Sequence, residues 1–417
     1  MRQYDNIGIE LNIYYFRTLL TFSGESNMKI GINLTYIGKD INDGQSNHAK
    51  DIIYGLNNIG KSEDFILITG KHFYEDAKIH FPQFEVIEAE KSKFIEILIK
   101  ITGHFNFLQL YYISFIGLNK TSKKHNIDVM LHAFNDRRMR FVKNIPNIMV
   151  IHDLYFKNFG HILNPFLYHI LKYSNNYFVQ KSDAIVVISE FVKKDLLSYY
   201  KFIDESKIHV IPNAVSINED ENDSNNKLPC KKPYILCVNN HQFHKNGITL
   251  IKAFNLIKNE IPNNLVFLGR KKYEAQNLLK YIKKHNLSNR VYLIDSLSET
   301  EKNNLYRNAD LFVSPSLHEG FGRTPIEASM LKIPVITSRE TCLPEVTMEL
   351  VNYYEPATDA EALSEVIIKV LKNPPSEEEL SRIKSIYENK YNTELIAQNY
   401  YDLCVSFIRK NKQEEYL

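Results

Sequence analysis

Short runs of apolar, often β-branched residues alternate with longer amphipathic segments along most of the chain. The runs that we predict as strands in the first half are KIGINL, DFILITG, FEVIEA, DVMLHA, NIMVIHDL, DAIVVISEF and KIHVIPNAV. Segments between them, such as HAKDIIYGLNNIG and VKKDLLSYY, space their apolar residues as a helix does. Apolar strands that alternate with helices predict a parallel sheet covered by helices on both faces.

The alternation stops at a polar segment, residues 216–233, and then starts again. The strands that we predict after the break are YILCVNN, NLVFLG, RVYLID, DLFVSPS and PVITS. Helical patterns separate these strands, and Ser298 with Glu301 has the capping-box pattern of a helix start. We therefore predict two doubly wound αβα domains, at 28–215 and 234–392, joined by a linker over 216–233.

Two segments lie outside the predicted domains. The first predicted strand follows Met28 directly, so we interpret residues 1–27 as an N-terminal extension. Residues 393–417 carry apolar residues at helical spacing and predict a C-terminal helix. The pattern alone favours packing of this helix on the second domain, which immediately precedes it.

The chain length of 417 residues suits two domains.

Net charge and hydropathy limit the classes of partner that the protein can bind. Its net charge of +2 is too small to indicate nucleic-acid binding. The apolar run from Phe94 to Leu118 is long enough to cross a bilayer, but polar and charged residues interrupt it, so we predict that it does not span one.

The same region is basic. Between Lys91 and Lys143, ten Lys and Arg residues stand against three Asp and Glu residues. Basic residues around an aromatic amphipathic segment are typical of a protein that contacts an anionic bilayer surface. They are equally typical of a core helix with a solvated basic face, and the sequence leaves both alternatives open.

The segment with the most distinctive chemistry is SPSLHEGFGRTPIEASMLKIPVITS, residues 314–338, in which seven residues separate Glu319 from Glu327. It follows a predicted strand and enters a helix, the place where doubly wound domains bind ligands. Gly320 and Gly322 allow a ligand to approach the backbone closely. Carboxylates accept hydrogen bonds from sugar hydroxyls, and free N–H groups at a helix start bind phosphate, so the segment suits a nucleotide sugar.

Local helix signals give one of the two glutamates a structural role as well. Pro325 is favoured at the first position of a helix, which makes Thr324 the predicted N-cap and Glu327 its capping-box partner. No such role is predicted for Glu319, so the functional interpretation depends mainly on that residue.

The segment resembles the E-x7-E region of retaining GT-B glycosyltransferases, the family-four, group 1 type that assembles bacterial polysaccharides and glycolipids. The family pattern is close to PS-x-x-EGFG-x-x-x-x-EA-x-x-x-G-x-PV, and only its glycine at Lys332 is missing here. Further pieces match in order along the chain: IHDL, DAIVVISEFVKKDL, VIPNAV, ADLFVSPS and LPEV.

The resemblance implies a GT-B fold, in which two Rossmann-like domains face each other across a cleft. The C-terminal helix would cross back to the first domain, which would bind the acceptor, while the second domain would bind the nucleotide sugar. Glu319 would contact hydroxyls of the donor sugar, and Glu327 would hold the ribose. The backbone N–H groups of Gly320, Phe321 and Gly322 would lie along the sugar and the diphosphate.

Further site residues are implied by position. Lys245 matches the lysine beside the leaving diphosphate, where a cation stabilises developing negative charge. His152 matches the histidine that faces the donor sugar across the cleft, and we group it with Glu319 as catalytic. Gly44 matches a glycine loop near the diphosphate and the acceptor, and His48 is expected to point into the same cleft.

The chain departs from the family pattern near the phosphates. Asn239 and Asn240 stand where the family has Gly-Arg, and Asp43 stands where the first glycine of the glycine loop is usual. Asn240 can still donate a hydrogen bond, and Arg270, which follows another strand, is a possible local replacement for the missing arginine.

The implied function is retaining transfer from a UDP- or GDP-sugar to a glycan or lipid-linked acceptor, in the cytoplasm or on the inner face of the membrane. No cofactor is expected. The sequence has no D-x-D, the aspartate pair that holds a divalent cation in metal-dependent glycosyltransferases, so no metal is expected either. The alternatives are a catalytically weak subunit that binds a nucleotide or a partner, and a sugar-nucleotide epimerase.

Overall fold

The computed structural model of the protein describes residues 28–37, 44–102, 106–136, 139–217, 228–270 and 274–415. Parts of the predicted extension, glycine loop, apolar run, basic region and linker therefore lie outside the described residues. They are the extension 1–27, Asp43, His104, Arg137, Arg138 and the part of the linker at 218–227.

The first sheet has seven parallel strands in the order β3-β2-β1-β4-β5-β6-β7. The strands are β1 (Ile30–Leu34), β2 (Phe65–Thr69), β3 (Glu85–Glu88), β4 (Val129–His132), β5 (Asn147–Ile151), β6 (Ala184–Val187) and β7 (Ile208–Val210). Five of them, β1, β2, β4, β5 and β6, are buried along their whole length, as expected for apolar strands covered on both faces.

The helices of this half are α1 (Gly44–Asn58), α2 (Tyr74–His80), α3 (Lys93–Thr102), α4 (Asn106–Tyr112), α5 (Leu118–Lys124), α6 (Tyr155–Asn158), α7 (Pro165–Lys181) and α8 (Glu190–Tyr199). A π-helical segment, Ile113–Gly117, joins α4 to α5. Helix α7 begins with the N-cap Asn164 and a proline at its first position, and α8 begins with the N-cap Ser189.

The second sheet has six parallel strands in the order β10-β9-β8-β11-β12-β13. They are β8 (Tyr234–Val238), β9 (Asn264–Leu268), β10 (Val291–Ile294), β11 (Leu311–Ser314), β12 (Val335–Ser338) and β13 (Asn352–Tyr354). Its helices are α9 (Gly247–Ile257), α10 (Ala275–Lys284), α11 (Glu299–Arg307), α12 (Arg323–Met330), α13 (Leu343–Val346), α14 (Ala360–Lys372) and α15 (Glu377–Lys390). The capping box of Ser298 and Glu301 at α11 is confirmed.

Both sheets reverse their winding beside the first strand of each half. Strand β1 lies between β2 and β4, and β8 lies between β9 and β11. In open α/β sheets, the crevice outside the carboxyl ends of such strands is the usual ligand site. Gly44 follows β1, Asn240 follows β8 and Glu319 follows β11, so the chain brings all three to these crevices.

The last helix, α16 (Thr393–Glu415), packs against α1 of the first domain. The helices approach so closely that a Cβ added to Gly55 would lie 2.4 Å from the carbonyl oxygen of Thr393. Tyr400 is fully buried there. The crossing implied by the resemblance is therefore confirmed, and packing of this helix only on the second domain is wrong.

One hydrophobic cluster crosses the boundary between the domains. It contains the strands of the first sheet, together with Phe321, Ile326 and Met330 around α12 and Tyr387 and Tyr391 near the end of α15. The ring of Phe321 is 3% exposed and packs edge-on against Tyr391, with 5.3 Å between the ring centroids. The two domains are thus joined by apolar packing as well as by the chain.

Helix α3 lies on the surface of the first domain. None of its residues is buried, so the interpretation of this part of the basic region as a core helix is wrong. Among the described residues, burial begins further along the chain, in the π-helical segment and α5, where Ile113 and Leu118 are buried. Within the described ranges no helix is both long and apolar enough to cross a membrane.

Candidate active site

A cavity of about 660 Å³ lies in the cleft between the two domains, a size typical of ligand sites. All ten candidate residues from the sequence line it: Gly44, His152, Asn240, Lys245, Arg270, Glu319, Gly320, Phe321, Gly322 and Glu327. The chain therefore brings these distant positions together, whatever the role of each.

Glu319 and Lys245 form an ion pair within this cavity. The Nζ of Lys245 donates to both carboxylate oxygens of Glu319, at 2.7 and 2.8 Å. Ser316 Oγ donates to one of the same oxygens at 2.8 Å, and the backbone N–H of Glu319 donates to Thr341 Oγ1 at 3.1 Å. The expectation that Glu319 has no structural role is wrong, because its carboxylate joins the loops that follow β8 and β11.

This pairing keeps the Glu319 carboxylate ionised. Burial alone would raise its pKa, but the charge of Lys245 and the hydrogen bonds from Lys245 and Ser316 outweigh burial, and the pKa falls below its usual value. An ionised carboxylate only accepts hydrogen bonds. Glu319 is therefore suited to hold hydroxyl groups rather than to give up a proton.

Glu327 does not take part in the predicted capping box. Helix α12 already begins at Arg323, and its N-cap is Gly322, whose φ of +80° lies in the left-handed region. The chain turns into the helix there, ahead of Pro325, so the Thr324 cap is wrong. The carboxylate of Glu327 instead accepts hydrogen bonds from Arg323 Nε at 2.9 Å and from the hydroxyl of Tyr306 at 3.2 Å.

The pKa of Glu327 is also lowered. Burial would raise it, but the charges of Lys302 and Arg323 and the hydrogen bonds from Arg323 and Tyr306 have the larger combined effect. Both glutamates of the motif are therefore ionised acceptors beside the cavity.

Gly320 is needed for contact with the first domain. A Cβ at this position would lie 2.1 Å from the carbonyl oxygen of His152. On the other side, Ser189 Oγ donates to the carbonyl oxygen of Gly320 at 2.8 Å. We expected this glycine to let a ligand approach the backbone; the structure shows that the backbone of the first domain takes that space.

The two candidate histidines have different surroundings. His152 lines the cavity, and its Nε2 lies 3.1 Å from the carbonyl oxygen of Ala133. His48 is fully buried away from the cavity lining, with Nε2 3.1 Å from the hydroxyl of Tyr400. The expectation that His48 points into the cleft is therefore wrong, because α16 provides its hydrogen-bond partner. Its ring packs edge-on against that of His152, with 5.0 Å between the centroids.

The asparagines that replace Gly-Arg lie at the cavity edge together with Arg270. Asn240 Oδ1 accepts a hydrogen bond from the backbone N–H of Arg270 at 3.2 Å, and Asn239 Nδ2 donates to Cys237 Sγ at 3.1 Å. Arg270 is exposed. Arg270 thus lies next to Asn240 at the cavity, the position from which a replacement cation would reach a phosphate.

Sequence reasoning missed a second ion-paired group at the cleft. Arg323 Nη1 donates to a carboxylate oxygen of Asp51 in α1, and Arg323 Nε donates to Glu327. Asp51 and Arg323 are 272 residues apart in the sequence. The one available signal was an aspartate next to the apolar face of α1, which gives no indication of its partner.

Two family profiles match consecutive parts of the chain. Residues 218–386 match the family described as Glycosyl transferases group 1. Residues 75–219 match Glycosyltransferase Family 4. Together the matches cover about three quarters of the 417 residues.

Curated relatives share about a quarter of their residues with the chain over the matched parts. WclY, an O-antigen biosynthesis glycosyltransferase of Escherichia coli, is 26% identical over 241 residues, which cover 55% of this chain and 63% of WclY. RfbU, an O-antigen chain mannosyltransferase of Salmonella typhimurium, is 30% identical over 203 residues, covering 47% and 55%. The chain thus spans less than two thirds of the length of these relatives.

Solved structures match over nearly the whole chain. The sucrose-phosphate synthase of Thermosynechococcus elongatus has a TM-score of 0.70 at 18% identity and covers 92% of this chain and 100% of its own. HepE of Anabaena, in complex with UDP and glucose, has a TM-score of 0.65 at 15% identity and covers 91% and 100%. These similarities show the GT-B fold. The two family matches, and not the fold, identify residues 75–386 of the chain as belonging to the glycosyltransferases of group 1 and family 4.

Proposed function

We propose that this protein transfers a sugar from a UDP- or GDP-sugar to a hydroxyl of a glycan or lipid-linked acceptor, with retention at the anomeric carbon. The observation that carries the proposal is the Lys245–Glu319 ion pair in the interdomain cavity, with ionised Glu327 beside the same cavity. One cation and two carboxylates together suit a molecule that has both phosphates and hydroxyls.

The charges of Lys245, Glu319 and Glu327 suggest which part of the donor each residue binds. A lysine ammonium has three N–H donors, so Lys245 can hold Glu319 and a phosphate oxygen at the same time. As the bond to the anomeric carbon breaks, negative charge develops on the diphosphate, and a nearby cation stabilises it. Glu319 accepts hydrogen bonds from sugar hydroxyls, and Glu327 accepts those of the ribose.

We further propose a front-face reaction. The acceptor oxygen forms a bond to the anomeric carbon while the bond from that carbon to the diphosphate oxygen breaks on the same face. The acceptor proton passes to an oxygen of the leaving diphosphate. No enzyme nucleophile is needed in this scheme, and His152 lies at the cavity where the donor sugar would be.

Similar proteins support the biological setting. HepE was solved with UDP and glucose, which favours a nucleotide-sugar donor. WclY and RfbU are described as O-antigen glycosyltransferases, which favours assembly of a cell-surface polysaccharide. We propose a cytoplasmic location for this reaction, on the inner face of the membrane.

The first test compares Glu319→Gln with Glu378→Gln, a matched change at an exposed position of α15. Wild type should bind one of UDP, GDP or their sugars. A ligand at 100 times its Kd should stabilise the fold by about 2.7 kcal/mol in a thermal-shift panel. With the nucleotide sugar that the panel identifies as donor, Glu319→Gln should lower kcat about 100-fold, whereas Glu378→Gln should not change it. A panel in which no nucleotide stabilises the wild type would falsify the proposal.

The alternative of a catalytically weak nucleotide-binding subunit is motivated by Asn239 and Asn240. Their side chains bring no charge to the phosphates, and Lys245 is already paired with Glu319. Slow donor hydrolysis by the purified protein, abolished by Glu319→Ala, would reject this alternative.

We also propose that transfer requires no metal. Activity in the presence of EDTA should equal that of the untreated protein. Loss of activity in EDTA that Mn²⁺ restores would contradict this part of the proposal.

A membrane contact is proposed for α3. Phe94, Ile97 and Ile101 recur at helical spacing on one face and are 75%, 56% and 78% exposed. Exposed Lys93 and Lys100 lie on the same helix. Apolar side chains beside lysines suit the headgroup region of an anionic bilayer.

Vesicle flotation tests this contact with the full chain. The protein should float with vesicles that contain anionic lipid and less with neutral ones. Phe94→Ser with Ile101→Ser should abolish flotation, whereas Ile79→Ser, at another exposed isoleucine, should not. Absence of wild-type binding to both kinds of vesicle would end this part of the proposal.

A further inference from the structure

A single guanidinium joins carboxylates of the two domains. Arg323 donates through Nη1 to Asp51 of α1 and through Nε to Glu327 of α12. The side chains are largely buried, with 18%, 10% and 12% exposure for Arg323, Asp51 and Glu327. Burial would lower the pKa of Arg323, but the charges of the two carboxylates raise it above its usual value, so the guanidinium stays protonated and holds both carboxylates.

The bridge ends on the carboxylate that our proposed function assigns to the donor ribose. Arg323 and Glu327 both line the cavity, whereas Asp51 belongs to the opposite domain and lies outside the cavity lining. Arginine suits this position because its planar, rigid fork donates in two directions at once. A lysine could not hold both carboxylates in the same geometry.

The consequence concerns the orientation of Glu327. With the domains together, Asp51 fixes one edge of the guanidinium, and the guanidinium in turn fixes one oxygen of Glu327. Tyr306 fixes Glu327 from within the second domain. If the domains separate, the Asp51 contact is lost and Arg323 keeps only Glu327, whose position is then less restrained.

We propose that Arg323 is a positioning residue that couples closure of the two domains to the orientation of Glu327, and so to the affinity for the nucleotide part of the donor. The inference rests on the proposed function. Because such coupling is reciprocal, nucleotide binding should favour the closed arrangement by the same factor by which closure favours binding.

Asp51→Asn gives the sharpest test. It weakens the contact between Asp51 and Arg323, which joins the two domains, and it substitutes no residue that lines the cavity. Asp402→Asn, on the exposed surface of α16, is the matched control. Two measurements are made on the full chain. They are the Kd for UDP and GDP by calorimetry, and the interdomain distance from paired spin labels with and without nucleotide.

We expect Asp51→Asn to weaken nucleotide binding about 5- to 100-fold, within the range of typical coupling energies, and to populate longer interdomain distances without nucleotide. Arg323→Lys should have a similar effect. The double variant should be no weaker than the worse single variant, because both changes break one bridge. Asp402→Asn should match wild type in both measurements.

The outcomes separate the two proposals. If wild type binds nucleotide and both bridge variants retain its Kd and its interdomain distances, the coupling is wrong and the proposed function stands. If wild type binds neither nucleotide, the proposed function and the coupling to affinity both fall. A distance change in Asp51→Asn would then show only that the bridge holds the domains together. Should Asp51→Asn not fold, Arg323→Lys carries the same comparison.

Discussion

At the scale of single residues, the motif glutamates and glycines serve two demands at once. Glu319 holds Lys245 and Ser316, yet it lines the cavity. At Gly320, the carbonyl oxygen of His152 in the other domain occupies the space that a side chain would need. The glycine at position 320 is therefore required by the contact between the domains, and Glu319 is both a structural ion-pair partner and a lining residue of the cavity.

Gly320→Ala should drive the domains apart. Its Cβ would lie 2.1 Å from a backbone oxygen, which cannot rotate away as a side chain can. Gly44→Ala is the control, because a Cβ there meets nothing within 4 Å. Thermal unfolding should show a clear loss of stability for Gly320→Ala. It should show no loss for Gly44→Ala, because the added methyl group has open space at the start of α1. Equal melting temperatures for the two variants would contradict the steric argument.

At the scale of elements, the end of α12 explains the glycine that the family pattern expects at Lys332. The N–H of Ile333 donates to the carbonyl oxygen of Ala328 at 3.1 Å, and that of Lys332 donates to Ser329 at 3.0 Å. This is the Schellman motif, which favours glycine at the left-handed position after the helix. Lys332 occupies that position with a φ of +59°.

Lys332→Gly should therefore stabilise the protein. The left-handed conformation costs a residue with a side chain about 1–2 kcal/mol, and glycine avoids most of that cost. The exposed ion pair of Lys332 with Glu377 is lost, but such pairs contribute little. Lys332→Ala removes the same ion pair and keeps the Cβ, so it should show no gain. Urea denaturation of both variants measures the difference, and a gain in Lys332→Ala as large as in Lys332→Gly would refute the explanation.

Elements also show what the sequence could predict. Each of the twelve apolar runs contains a strand of the structure. The pattern is clearest for strands such as β1 and β5, because parallel strands that are buried on both faces are apolar along their length. Strand β13 was missed because its residues, Asn352–Tyr354, include no aliphatic side chain and so give no apolar run. The start of α12 was misplaced because Gly322 turns the chain by its backbone conformation, which leaves no side-chain signal.

At the scale of the whole molecule, the sequence predicted that residues after strand ends lie at the cleft, but it could not predict contacts with partners far along the chain. Lys245 and Glu319 could be placed in the cleft from their strands, but their ion pair could not. The contact of Asp51 with Arg323 and that of His48 with Tyr400 each join residues hundreds of positions apart. No local pattern encodes such pairs.

Buried neutral histidines should make the protein sensitive to acid. Burial lowers the pKa of His244 to about 3, that of His132 to about 4, and that of His48 well below its usual value. In the unfolded chain these histidines take up protons near pH 6.5, whereas in the folded protein they stay neutral to lower pH. Acid therefore favours the unfolded state: the folded protein has its full stability above pH 6.5 and loses stability as the pH falls toward 4. Each histidine should contribute a slope of up to about 1.4 kcal/mol per pH unit.

Urea denaturation at pH 7.5, 6.0 and 5.0 measures this slope. His244→Phe should make it shallower, because one titrating group is removed from an aromatic environment that includes Tyr155 and Phe159. His72→Gln, at an exposed position, should leave it unchanged. A free energy of unfolding that stays constant over this range would contradict the prediction.

The packing of α16 on α1 has a consequence for synthesis on the ribosome. His48 has no hydrogen bond to Tyr400 until Tyr400 is added to the chain, 352 residues later. At about 5–20 residues per second, that interval lasts roughly 20–70 s. Throughout it, the face of α1 that α16 covers is open to solvent in the nascent chain. The first domain is therefore synthesised first but completed only when α16 has been added. Until then, the uncovered face of α1 is an apolar groove to which chaperones can bind. Stalled nascent chains that end before α16 should therefore be cut within α1 by a protease that spares the full-length protein.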